Sequence, residues 1–106
     1  MKEYDKIVRD KIPNIIRNSG KECEVETVSD AIALEYLYKK LIEEVNEFFE
    51  SMDIEEIIDV MEVLFAIGSK RGYENYELLE LMMTKRHKNG GFNDNIILKK
   101  VYNSNK

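Results

Sequence analysis

The chain has 106 residues and 12.5 kDa, 43% of them hydrophobic, enough for one domain and one core. Sixteen Lys and Arg against 21 Asp and Glu leave a net charge of −5, which argues against a general phosphate-backbone binder of nucleic acid. One cysteine, Cys23, and one histidine, His87, exclude an intramolecular disulfide, a Cys-rich zinc site and a metal site of several imidazoles. No apolar run approaches the ~20 residues that span a bilayer. The start, Met1-Lys2-Glu3-Tyr4-Asp5, offers no apolar stretch for a secretory signal, so a cytoplasmic protein is the expectation.

Five glycines and one proline favour helices over a turn-rich β fold. Pro13 suits the first turn of a short helix that ends near Gly20. Glu22 to Val28 alternates charged and small apolar residues, as a short strand or an extended linker would. From Ser29 or Asp30, each a plausible N-cap, Leu34, Leu37, Tyr38, Leu41, Val45 and Phe48 recur at three and four. That spacing predicts a helix from about Asp30 to Ser51. Asp53, with Glu56 three residues on as in a capping box, opens a second helix on Ile54, Ile57, Ile58, Met61, Leu64 and Phe65, ending near Gly72. A third is expected from about Asn75 to Lys88, built on Leu78, Leu79, Met82 and Met83 and stopped by Asn89-Gly90-Gly91. Phe92 to Val101 reads as a final short helix or strand, and the tail from Asn103 to Lys106 as a frayed end. The expected architecture is all-α: a bundle of two long antiparallel helices plus shorter ones. The second long helix is apolar around more than half its circumference, so a second copy is expected to complete the bundle.

Charge is unevenly spread. Glu35 to Glu62 carries ten acids against Lys39 and Lys40, while Thr84 to Lys106 is basic. A solvated helix face is the plain explanation of such a run. Two features point further. At about 100° per residue, Glu44 and Glu47 fall on the flank of a stripe centred on Leu34, Leu41 and Phe48, and Glu43 turns to water. On the next helix Ile57, Met61, Leu64 and Gly68 centre the stripe. Glu56 lies inside its flank of Val60, Val63 and Ile67, with Asp59 at the border. A carboxylate among residues that favour burial is costly unless something positive meets it. The second feature is the i, i+3 spacing of Glu44 with Glu47 and of Glu56 with Asp59, which puts each pair on one helical face. If the helices pack antiparallel, four carboxylates converge. An oxygen-only donor set of that kind selects Mg²⁺, or Mn²⁺ as its substitute.

Leu41-Ile42-Glu43-Glu44-Val45-Asn46-Glu47 followed by Glu55-Glu56-Ile57-Ile58-Asp59-Val60 resembles the EExxE and ExxD motifs of the all-α, MazG-like nucleoside triphosphate pyrophosphatases. Lys6-Ile7-Val8-Arg9-Asp10-Lys11-Ile12-Pro13 and Asn89-Gly90-Gly91-Phe92 resemble a small, phosphoribosyl-ATP pyrophosphohydrolase-like branch of them. The resemblance runs from about Tyr4 to Val101. It implies a Mg²⁺-dependent hydrolase that splits a nucleoside triphosphate into monophosphate and pyrophosphate, as house-cleaning of non-standard nucleotides. Phosphoribosyl-ATP hydrolysis is the alternative substrate. It also implies homodimers or larger homo-oligomers with sites near the subunit interface. Carried over residue by residue, Glu44, Glu47, Glu56 and Asp59 are the metal ligands. Glu43, Glu44 and Glu47 stand as the catalytic acids, Glu43 matching the motif's first position, and Glu62 as a helper or a surface residue. The expected phosphate-binding groups are Lys85, Arg86 and Lys88, whose other reading is cations at a helix C-terminus, together with Arg9 and Lys11, otherwise surface charges. His87 reads as a surface residue, and Phe92 as a ring that packs over a base or anchors the loop. Tyr36, Tyr38, Tyr73 and Tyr76 read as core or interface residues. A non-catalytic helical interaction or regulatory domain is the reading from another class.

Overall fold

A computed structural model describes residues 1–104, so the expected tail at 105–106 lies outside the described residues. Four helices follow one another: α1 (Ile12–Asn18), α2 (Asp30–Ser51), α3 (Ile54–Lys70) and α4 (Asn75–Asn89), with no strand among the described residues. Residues 22–28 are therefore linker. Pro13 stands in the first turn of α1, where its missing N–H leaves no bond unmade.

Ser29 caps α2, its hydroxyl accepting from the Ile32 N–H at 3.3 Å. The helix ends at Met52, whose φ of 55° is left-handed and whose N–H donates to the Phe48 carbonyl at 2.6 Å. That turn folds the chain back at once. Asp53 caps α3 by accepting from the Glu55 N–H at 3.1 Å. The expected capping box with Glu56 does not form, because the Glu56 carboxylate turns inward to meet other acids. At the far end of the pair, Lys70 donates to Asp30 at 3.0 Å, which fixes α2 and α3 as antiparallel.

The shared core is small: Ala33, Leu37 and Val63 are its buried apolar residues, beside Gly68. Gly68 is closely approached, for a Cβ there would stand 2.5 Å from Leu78 Cδ1; this is where α4 seats on α3. Among the helices, α4 touches α3 alone.

Helix α3 presents to α2 the side that carries Val63, Ile67 and Glu56. Ile57, Met61 and Leu64, the expected centre of its apolar stripe, stay exposed in the single chain. The reason is that an apolar arc this wide serves two contact surfaces, and its angular centre belongs to neither. Two other expectations are corrected. Phe92 to Val101 forms neither helix nor strand, and Phe92 is 98% exposed instead of anchoring a loop. The described residues beyond Gly91 are exposed throughout and lie on none of the chain's own apolar surface. Tyr38, Tyr73 and Tyr76 are likewise exposed, whereas half-buried Tyr36 donates its hydroxyl to Asp5 at 2.7 Å.

The single chain measures 72 × 32 × 20 Å, with a radius of gyration of 19.4 Å. A compact domain of this length would have about 13 Å. It exposes 10084 Å², against about 6,200 Å² for a compact monomer of this mass. No described helix is long and apolar enough to cross a membrane.

Candidate metal centre

Fold-back at Met52 sets the last turns of α2 against the first turns of α3, and the acids of both gather there. Carboxylate oxygens of Glu44, Glu56 and Asp59 lie within 4.8 Å of one another, and so do those of Glu43, Glu44 and Glu47. Glu44 belongs to both groups and joins them. It is also the deepest acid, retaining 7% of its exposure in a structure with almost no buried polar residue. Sequence geometry places it on the flank of α2. In the fold it stands in line with Ala33 and Leu37, at the middle of the face that meets α3.

Burial comes first in pushing the Glu44 carboxyl above the usual carboxylate range; the Glu47 charge adds to it and Lys40 opposes it. Glu56 is raised by burial first, then by Glu47, Asp59 and Glu44. Glu47 thus acts on both of the deepest acids. The Oε2 atoms of Glu44 and Glu56 are buried without a hydrogen-bond partner. An acceptor left this way costs about 1–3 kcal/mol, more when charged. Two buried carboxylate oxygens that receive no donor from the rest of the chain, with Glu44 and Glu56 close enough to share a proton between them, suit a hard cation. The residues present fit Mg²⁺ or Mn²⁺: all donors are oxygen, and none is thiolate or imidazole.

Among the described residues, three cations border the cluster. Lys40, one turn before Glu44 on α2, holds its Nζ 3.4 Å from Glu44 Oε1 and 3.7 Å from Glu43 Oε1. Its side chain is only 18% exposed, its stem lying along the helix with the ammonium at the acids. From the N-terminal segment, Lys6 Nζ lies 3.6 Å from Glu43 Oε1, and Arg9 Nη2 donates to Asp59 Oδ1 at 2.8 Å. Sequence reasoning missed Lys40 and Lys6. The i, i+3 and i, i+4 relation of Lys40 to Glu43 and Glu44 was a usable signal, but nothing local marks Lys6. Glu43, turned to water by the helical angle, is instead half-buried under these lysines, because the N-terminal segment crosses that side of α2.

The remaining expected residues are not brought to the acids within one chain. Lys85, Arg86 and Lys88 are exposed near the C-terminal end of α4, the latter two in its last turn. That helix docks at Gly68, about 18 Å along α3 from Glu56 at 1.5 Å per residue. Lys11 is exposed at the start of α1, Glu62 is exposed one turn past Asp59, and His87 is a surface residue. Comparisons of the chain with known protein families, with curated proteins and with solved structures each find no match.

Proposed function

We propose that this chain is a Mg²⁺-dependent nucleotide pyrophosphatase of the MazG-like kind, converting a nucleoside triphosphate and water into the monophosphate and pyrophosphate. The observation that carries the reading is the pair of buried, unpartnered oxygens of Glu44 and Glu56 within the carboxylate cluster. Glu44, Glu47, Glu56 and Asp59 would hold the ion. Bound there, Mg²⁺ supplies charge neutralisation, a grip on phosphate oxygens and a water of lowered pKa.

The chain's own groups divide the remaining work. Glu44 and Glu56, both deep, keep the donors fixed and exclude bulk water. Glu43 and Glu47 are the acids placed to orient a water and accept its proton. Arg9 and Lys6, already at the cluster's rim, are the nearest cations for phosphate oxygens, and a guanidinium pairs with phosphate in two parallel bonds. Lys85, Arg86 and Lys88 act on the leaving pyrophosphate from a second copy, since within one chain none of them pairs with an acid of the cluster.

Two observations support a homodimer as the working form: the excess of exposed surface, and the bare apolar face of Ile57, Ile58, Met61 and Leu64 on α3. Met61→Glu would set a charge into that face. In sedimentation the variant is expected at the mass of one chain, at concentrations where the parent has twice that mass. An unchanged mass in the variant, or a parent monomeric throughout, removes the dimer.

The activity is tested by incubating purified protein with standard and modified nucleoside triphosphates, and with phosphoribosyl-ATP, in Mg²⁺ and measuring pyrophosphate. Release from at least one of them is expected, and the preferred one names the substrate. Absence of release from all, with no Mg²⁺-dependent rise in melting temperature, returns the acids to a solvated face.

A further inference from the structure

The cations around the acids are of two kinds. Lys40 is built into α2 and shielded, a fixed counter-ion to Glu44. Lys6 and Arg9 sit on residues 1–11, which contain no regular helix or strand before α1 begins, and their side chains are 41% and 53% exposed. Among the described residues the polar side-chain contacts that tie this segment to the hairpin are Asp5 to Tyr36, Lys6 to Glu43 and Arg9 to Asp59, and Ile7 is half-buried. Exposed pairs of this sort are worth little and exchange readily.

Arg9 occupies an oxygen of Asp59, a carboxylate that also faces Glu44 and Glu56. A divalent cation arriving alone meets a carboxylate whose charge Arg9 already partly neutralises. The same guanidinium has a better partner once a triphosphate is present, for phosphate oxygens match its planar fork. We propose that Arg9 is a latch on Asp59. It holds that carboxylate against free metal and transfers to the phosphates when metal arrives with a nucleotide. The latch rests on the pyrophosphatase reading and adds its regulation: free metal still binds, about fivefold more weakly than it would without Arg9, and the metal–nucleotide pair is favoured over it. By linkage, the nucleotide strengthens metal binding more with Arg9 present than without it.

The probe is Mn²⁺, its free concentration read by electron paramagnetic resonance against the full chain, with and without an α,β-methylene triphosphate analogue. Arg9→Gln, lying on an exposed segment, leaves the helices intact. It is expected to bind Mn²⁺ alone about fivefold more tightly than the parent, the factor an exposed ion pair can supply. The strengthening that the analogue gives the parent should shrink in the variant by at least that factor. Lys21→Gln, which removes an exposed charge beyond α1, controls for net charge and should leave Mn²⁺ affinity at the parent's value. If Arg9→Gln binds Mn²⁺ alone no better than the parent, or if Lys21→Gln tightens it equally, the latch is overturned and the metal site stands. If neither parent nor variant binds Mn²⁺ saturably under either condition, the metal reading falls and takes the latch with it.

Discussion

Glu44→Gln is expected to abolish both pyrophosphate release and the Mg²⁺-dependent rise in melting temperature, while the helices persist. Glutamine keeps the shape of the side chain and removes the charge that burial disfavours. The metal-free variant should therefore melt at or above the parent's temperature. What it cannot do is offer an anionic oxygen at the point where the two acid groups join. Changing even an outer partner of a metal ligand costs about 10–100-fold, so a loss of at least about a hundredfold in rate is expected. Ligand bound only by the folded state at a hundred times its Kd contributes about 2.7 kcal/mol. For a domain of this size that is a rise of about 10 °C or more. Circular dichroism melts with and without Mg²⁺, beside the pyrophosphate assay, decide the matter. A variant that still gains stability from Mg²⁺ as the parent does would remove Glu44 from the site.

Acidification should stabilise the metal-free protein and weaken the effect of Mg²⁺. Glu44 and Glu56 are raised, by burial first and neighbouring acids second. The folded chain therefore holds their protons more tightly than the unfolded chain does. This contribution is fully present below the unfolded value of about 4.3 and is lost as pH rises through the raised folded values. Lowering the pH from about 7 towards about 5 should thus raise the metal-free melting temperature. With Mg²⁺ present the direction reverses, since the ion needs the deprotonated carboxylates and competes with protons for them. The two melting curves, apart near neutrality, should converge on acidification. A metal-free protein that loses stability over that interval, or a Mg²⁺ increment independent of pH, would contradict the coupling.

Much of this architecture is legible in local residue order. Ser29 and Asp53 mark helix starts through side-chain acceptors, and the spacing of Leu34, Leu37 and Leu41 marks the helix between them. These signals act over one or two turns, so they survive without tertiary context. The approach of Glu44 to Glu56 and Asp59, with Glu47 beside Glu44, is legible for the same reason, as it needs only two helical faces and a short connection. What escapes is anything set by distant chain. The face that α3 turns to α2 is chosen by which apolar side finds a partner, and the arc from Val60 to Leu64 has candidates on both sides. Lys6 and Arg9 reach the acids through a segment whose path no periodicity encodes. The course of residues 92–101 is set by what they can pack on, and within one chain they meet nothing.

The five acids of the cluster occupy one uninterrupted stretch, Glu43 to Asp59, folded on itself at Met52. Such a constellation is portable. Moving, duplicating or grafting this single hairpin would carry every carboxylate with it, whereas the cations at positions 6 and 9 must be furnished afresh by whatever chain receives it.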